Sequence, residues 1–242
     1  MWTAIIPDPK RRTVLVTRPE PGLSDTIEKI KILGWRPIAA PMLTVEPRVL
    51  HVPHHAFTHV LLSSGQAVPA LSEAFPPHVS VLAVGEKTAA RAREAGFTQV
   101  RAADGDACSL LRLLGAAPPG GTILLAVGEG QSLEMAAQAR AQGWRVTRRV
   151  AYVARPVRDV PPAARAALQR GEVEAVLLFS AVTAQSWLAA LGRQAALLTP
   201  VRAVTLSARV AQAASAAHWR SVETAARPEQ AALLDVLGSC HI

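Results

Sequence analysis

Apolar residues fall along this chain in two alternating rhythms. Short continuous apolar runs, as in TVLVTRP (13–19), THVLLSSGQAV (58–68), TILLAVGEG (122–130) and EAVLLFS (174–180), each end in a small polar turn. The stretch after each turn spaces its apolar residues three or four positions apart. The first rhythm reads as a strand covered on both faces, the second as an amphipathic helix. In LSDTIEKIKILG (23–34), Ile27, Ile30 and Leu33 form the apolar face, Ser24 is the expected N-cap and Gly34 the expected stop. The uncharged run 175–192 is interrupted by Ser180, Thr183, Gln185 and Ser186, so it reads as a buried strand and a helix, not a membrane span.

The pattern occurs twice. Gly34-Trp35-Arg36 returns as Gly143-Trp144-Arg145, and Pro47 as Pro156, each 109 positions later. THVLLSSGQAVPAL (58–71) is matched by EAVLLFSAVTAQSWL (174–188), and VSVLAVGEKTAARAREAGF (79–97) by PVRAVTLSARVAQAASAAHW (200–219). Strands alternating with helices of this length imply parallel sheets with right-handed crossovers. The expected fold is α/β: two similar parallel-sheet lobes joined by a two-stranded β connector, the first lobe discontinuous. Residues 1–37 and 157–242 form lobe 1, and residues 48–144 form lobe 2. Residues 38–47 and 145–156 are the connector strands, a natural hinge because a two-stranded ribbon has little core.

Composition narrows the function classes. The chain has 242 residues, half of them hydrophobic, a net charge of +8 and a pI of about 10.7. Such a pI suggests nucleic acid, but the charges form no dense basic run, no aromatics are interleaved, and there is no Cys/His zinc spacing. A positive chain equally attracts a small polyanion. Cys108 and Cys240 form no motif and read as free thiols of a reducing compartment. The start, MWTAIIPDPKRR, lacks the apolar core of a secretion signal. The reading is therefore cytoplasmic and independent of nucleic acid and membrane, and a monomer is expected.

In parallel α/β sheets, ligands bind beyond the carboxyl ends of the strands. The turns there contain Arg18, Ser63 and Ser64, Gly85, Lys87 and Thr88, Gly128, Ser180, and Ser207. They open helix N-termini, whose free N–H groups and dipole favour carboxylate or phosphate. Singly these are ordinary caps; together with the basic balance they point to an anionic ligand. Gly128-Glu129-Gly130 is no dinucleotide fingerprint, since position 133 is Leu. Neither a Walker A motif nor a G-x-S-x-G elbow occurs. His54-His55 offers a metal pair, but a solvated loop is the expected reading. No metal and no cofactor are expected. The one tyrosine, Tyr152, sits in RRVAYVARPV (148–157). Strand alternation puts Arg148 on its side, and Arg149 and Arg155 on the other.

The ordered motifs resemble those of the uroporphyrinogen-III synthase family over nearly the whole chain. VLVTRP (14–19) resembles the family's opening strand, and SSGQAV (63–68) its Thr-Ser-Pro-x-Ala-Val turn. AVGEKTAARAREAG (83–96) resembles its Val-Gly-x-x-Thr-Ala turn and helix, and FSAVTAQSWL (179–188) its second Phe-Ser-Pro turn. Tyr152 falls where the family has a tyrosine on the second connector strand. The final Gly-x-x-Thr-Ala motif reads Val204-Thr205-Leu206-Ser207-Ala208 here, and Val127 and Ser132 stand where bacterial relatives often carry arginines. The resemblance implies a lyase whose substrate is the linear tetrapyrrole hydroxymethylbilane, received through transient contact with the enzyme that supplies it. It implies a cofactor-free cyclisation with loss of water and inversion of ring D. Tyr152 is then the candidate proton donor, with Arg148 and the turn residues above holding substrate carboxylates. The competing reading is a non-catalytic two-lobe binding protein for an anionic small molecule.

Overall fold

The computed structural model describes residues 12–52 and 57–240. The first eleven residues, His54-His55 and His241 lie outside the described residues. The chain divides into two compact units, residues 1–44 with 155–242, and residues 45–154.

In the first unit, β1 (Thr13–Val16) is followed by α1 (Leu23–Ile32) and β2 (Arg36–Ala39). β3 (Leu43–Pro47) leads into the second unit. There β4 (His59–Leu62), α2 (Val68–Ala74), β5 (Ser80–Ala83), α3 (Glu86–Glu94), β6 (Gln99–Ala102), α4 (Ala107–Leu114), β7 (Thr122–Gly128) and α5 (Leu133–Ala141) precede the long β8 (Arg145–Pro156). The first unit is completed by α6 (Pro162–Gln169), β9 (Val173–Leu178), α7 (Ala181–Leu191), β10 (Arg202–Thr205), α8 (Ala208–Ala214), β11 (Ser221–Thr224) and α9 (Gln230–Leu237).

The first sheet runs β11-β10-β9-β1-β2, with every pairing parallel. The second runs β3-β8-β7-β4-β5-β6, parallel from β8 onward. Read from β11 to β2 and from β6 to β8, the two five-stranded orders are the same. The duplicated pattern therefore encodes a duplicated α/β sheet, as expected. β3 and β8 run antiparallel, since Arg48 N–H donates to Ala151 O (2.8 Å) while Thr44 Oγ1 donates to Arg155 O (3.4 Å). Residues 38–47, expected as one connector strand, are divided between two sheets, Ile38 and Ala39 ending β2 and Leu43–Pro47 forming β3. Pro41, which has no N–H to continue a ladder, separates them. Pro37 is tolerated because β2 is an edge strand.

Alternation within the central strands feeds two cores per unit. Leu15, Val176, Leu178 and Ala203 face α6, α7 and α8 around the fully buried Trp187. Val14, Val16, Ala175, Leu177 and Val204 face Ile30 of α1 and Leu233, Leu234 and Leu237 of α9. In the second unit, Val60, Leu62, Leu124 and Ala126 face α2 and α3, while Leu61, Leu82, Ile123 and Leu125 face α4 and α5.

The repeated Gly-Trp-Arg has the same role in both units. Gly34 (φ 85°) and Gly143 (φ 93°) adopt the left-handed conformation that ends α1 and α5, where a side chain would be strained. Trp35 N then donates to Ile30 O and Trp144 N to Ala139 O, which satisfies the last helical carbonyls. Each indole N–H reaches the residue that ends another helix: Trp35 to Gly238 O (2.7 Å), Trp144 to Gly115 O (2.8 Å). Ser24 is not the cap of α1. The helix starts two residues earlier than a Ser24 cap implies, with Gly22 at the N-cap, and both Ser24 N–H and its hydroxyl donate to Glu20.

At the amino end of the first sheet, Glu174, with a side chain 3% exposed, is ion-paired to Arg220, and Arg202 lies 3.9 Å away. Arg202 also grips Glu223 with two hydrogen bonds (2.9 and 2.6 Å) and donates to Val236 O of α9 (3.0 Å). Removing one partner of a buried pair leaves charge uncompensated. Glu174→Gln should therefore destabilise the protein by roughly 3–5 kcal/mol in urea unfolding, the range for breaking such a pair; a change under about 1 kcal/mol would show the pair to be a surface ornament.

Hydrogen bonding from Arg202, assisted by Ser221, holds the Glu223 carboxyl below the usual carboxylate range. A depressed folded pKa contributes stability above the unfolded value and loses it as pH falls through the folded value. Unfolding midpoints should fall on acidification through that window. The fall should be shallower in Glu223→Gln; equal slopes would contradict the linkage.

Candidate functional site

Both sheets follow the doubly wound rule: strand order reverses beside the first strand of the pattern, opening a crevice at the carboxyl ends. In the first unit the reversal lies between β9 and β1, and in the second between β4 and β7. Arg18, Ser63, Ser64, Gly128 and Ser180, singled out in the sequence, end or follow the strands that flank these two points.

In the first unit, Arg18 follows β1 and Phe179 follows β9. The Arg18 guanidinium carbon lies 4.6 Å from the Phe179 ring centroid, a cation–π contact. Its Nη1 donates to Gln230 Oε1 (3.2 Å) and Thr26 Oγ1 (3.5 Å). Gly22 makes room for it, because a Cβ there would lie 2.2 Å from Arg18 Nη2. Beside Phe179, Ser180 caps α7: its Oγ accepts from Thr183 N (3.1 Å) and lies 2.7 Å from Thr183 Oγ1. Ser207 opens α8 after the neighbouring β10, with no side-chain cap bond of its own.

In the second unit, the turn after β7 is drawn together by Arg148 and Tyr152. Tyr152 is opposite Gly128 in the β7–β8 register and is 4% exposed. Its hydroxyl donates to Gln131 Oε1 (3.0 Å). Arg148 Nε and Nη2 both donate to Gln131 O (3.0 and 2.7 Å). Gln131 N–H donates to Gly128 O (3.1 Å), and Glu129 N–H to Tyr152 O (3.2 Å). The next residue, Ser132, is the one non-glycine with positive φ (60°) among the described residues, and its Oγ lies 3.4 Å from Ser63 Oγ. Holding a serine in that region costs about 1–2 kcal/mol, so the surrounding bonds fix this turn.

Alternation alone did not place these side chains. The register shifts at Gly128, which pairs with Tyr152 while Val127 pairs with Val150, so Ala151 is an extra residue. Ala151, Tyr152 and Val153 are consecutively buried as a result. Arg148 and Tyr152 still meet, on the main chain and the side chain of Gln131, and Arg148 uses two donors on that carbonyl. Arg149 turns to His51 O (3.0 Å).

The remaining predicted residues line adjoining turns of the same edge. Ser64 caps the short turn after β4 by accepting from Gln66 N (3.3 Å). Gly85, at the N-cap of α3, packs against Gly105, where a Cβ would lie 3.1 Å from the Gly105 Cα. Its carbonyl accepts from Thr88 N–H (3.0 Å), with Thr88 buried and Lys87 exposed. Gln131, Phe179, Thr26 and Gln230 were not anticipated. Gln131 carried a faint signal, as the first uncharged long polar side chain after the Gly-Glu-Gly turn. The others carried none, since their partners are distant in sequence.

Among the described residues, no three metal-ligating side chains come together, Cys108 is exposed and Cys240 buried, and no helix is long and apolar enough to cross a membrane.

The geometry defines a class: a pair of doubly wound α/β units, each with cationic and hydroxyl groups at its switch point. The family model described as uroporphyrinogen-III synthase HemD matches residues 24–235. The chain belongs to the uroporphyrinogen-III synthase family. Its fold is that of the Helicobacter pylori uroporphyrinogen-III synthetase, 14% identical over 94% of this chain and 98% of that one, with a TM-score of 0.63. A mutant uroporphyrinogen III synthase from Thermus thermophilus is also similar, 21% identical over 92% and 96% of the two chains, with a TM-score of 0.49. No curated protein sequence gives a significant match.

Gly128 tests the packing of the turn. A Cβ there would lie 2.8 Å from Tyr152 Cζ and 2.8 Å from Gln131 Cδ. Gly128→Ala should cost about 1–3 kcal/mol, as overpacking does. An unchanged urea midpoint would show that the turn has slack.

Proposed function

We propose that the chain converts hydroxymethylbilane to uroporphyrinogen III, expelling one water and inverting ring D through a spiro intermediate. Membership of the family over residues 24–235 is the observation that carries this reading. The family favours an enzyme over a non-catalytic binder.

The reaction needs a proton at the departing hydroxyl and a bent linear chain. An electron-rich pyrrole drives the hydroxyl from its carbon. A phenol can supply the proton, and the proton released when the last ring closes restores it, so atoms and charge balance. We assign the donor to Tyr152, supported by its place beside the β4/β7 reversal and by its fixed hydroxyl. General acid catalysis of this kind contributes about 10²–10⁴. Arg18 and Arg148, the amides at Ser63-Ser64, Gly85-Lys87-Thr88 and Gly128, and the Ser180 and Ser207 turns would bind acetate and propionate groups. Main-chain amides at helix starts hold carboxylates without a specific side chain. Confinement supplies the rest, by fixing ring D where the spiro bond forms. In this reading the enzyme is a cytoplasmic monomer that takes its labile substrate from the enzyme making it.

Purified protein incubated with hydroxymethylbilane should yield the type III isomer after oxidation and chromatography. Only type I, the product of spontaneous closure, would refute the assignment. Tyr152→Phe should lower turnover by about 10² or more if the phenol is the acid, with the fold retained by circular dichroism. Wild-type turnover would return Tyr152 to the core.

A further inference from the structure

We propose that Gln131 is a positioning residue for this reaction: its side-chain carbonyl aims the Tyr152 hydroxyl in the free protein, and its amide N–H donates to the phenol oxygen once the proton is turned to the substrate's departing hydroxyl. The inference rests on the reading of Tyr152 above.

Gln131 is an exposed residue, and an exposed glutamine ordinarily keeps its rotamer freedom, worth about 1.5–2 kcal/mol. Here its backbone is fixed from both sides. Arg148 donates twice to its carbonyl, its own N–H closes the turn onto Gly128 O, and the left-handed Ser132 follows. The side chain therefore starts from a fixed base, with Oε1 3.0 Å from the phenol. The Tyr152 ring is held in turn by the core around Phe57, Leu62 and Ala126 and by the bare face of Gly128. A buried ring can place its hydroxyl proton in two in-plane directions, and the acceptor selects one.

The acceptor's chemistry fits the role. An amide oxygen is neutral, and its hydrogen bond with a phenol is about half as strong as a carboxylate's. It holds the proton in line without withdrawing it, and a substrate hydroxyl can displace it because Gln131 is exposed to solvent. In the free protein the proton thus waits on Gln131; in the complex it points at the leaving group while the Gln131 amide N–H donates to the phenol oxygen, an interaction that strengthens as the proton leaves. Arg148 is then part of the same device through the main chain, where its Nε and Nη2 donate.

The single tyrosine makes the test direct. Protein carrying tyrosine labelled with carbon-13 at Cζ gives one resonance, compared in wild type and Gln131→Leu, a substitution of similar size without an acceptor. We expect the resonance to move. We also expect kcat to fall about tenfold with KM within about twofold, as for an interaction that aligns the reacting group rather than binds substrate. Gln131→Leu combined with Tyr152→Phe should be no slower than Tyr152→Phe alone. An unmoved resonance would overturn the hydrogen bond, and a moved resonance with full turnover would overturn the positioning role. If Tyr152→Phe itself is fully active while the resonance moves, the proton-donor reading fails and the positioning role fails with it. Gln131→Ala provides the same comparison if leucine perturbs the turn.

Discussion

Parallel strands covered by helices on both faces have no free face for binding, so chemistry is confined to their ends. That constraint organises each unit of this protein. ILLAV and AVLLF are apolar on both sides because α-helices cover both sides. Every crossover then returns the chain to the amino edge, and every strand delivers its next residues to the carboxyl edge. Arg18, Ser63, Gly128, Ser180 and Ser207 share an address in their respective sheets for that reason alone.

Within that edge, the order of strands decides which turns diverge and leave room. At the β9/β1 reversal the space is taken up by Arg18 over Phe179, tethered to Gln230. At the β4/β7 reversal it is occupied by a turn that Arg148, Tyr152 and Ser63 hold from three sides. The two copies are alike in fold and unlike in what they place near the reversal: a guanidinium stacked on a phenyl ring in one, and a guanidinium and a phenol that share Gln131 in the other. The opposite edge is structural: Glu174, Arg202, Arg220 and Glu223 tie β9, β10 and β11 together and Arg202 reaches α9.

Much of this was legible in the residues. The 109-residue recurrence of Gly-Trp-Arg foretold the duplication, and its glycines need left-handed backbone that few other residues adopt. Other features were not legible. Residues 36–47 look uniformly extended, yet Pro41 divides them between sheets. Ser24 looks like a cap, yet Glu20 takes both its donors. Gln131 looks like surface, yet it receives the only phenol.

Local chemistry explains the division. Apolar spacing, turn residues and glycine positions act within a few residues, so the sequence alone determined the strands, the helices and their repetition. The meeting of Tyr152 with Gln131 depends on one extra residue, Ala151, in the β7–β8 register. The stacking of Arg18 on Phe179 depends on which strands lie side by side. Those are settled only when sheets assemble, because a hydrogen bond between residues far apart in the chain requires the whole intervening fold to bring them within 3 Å or so.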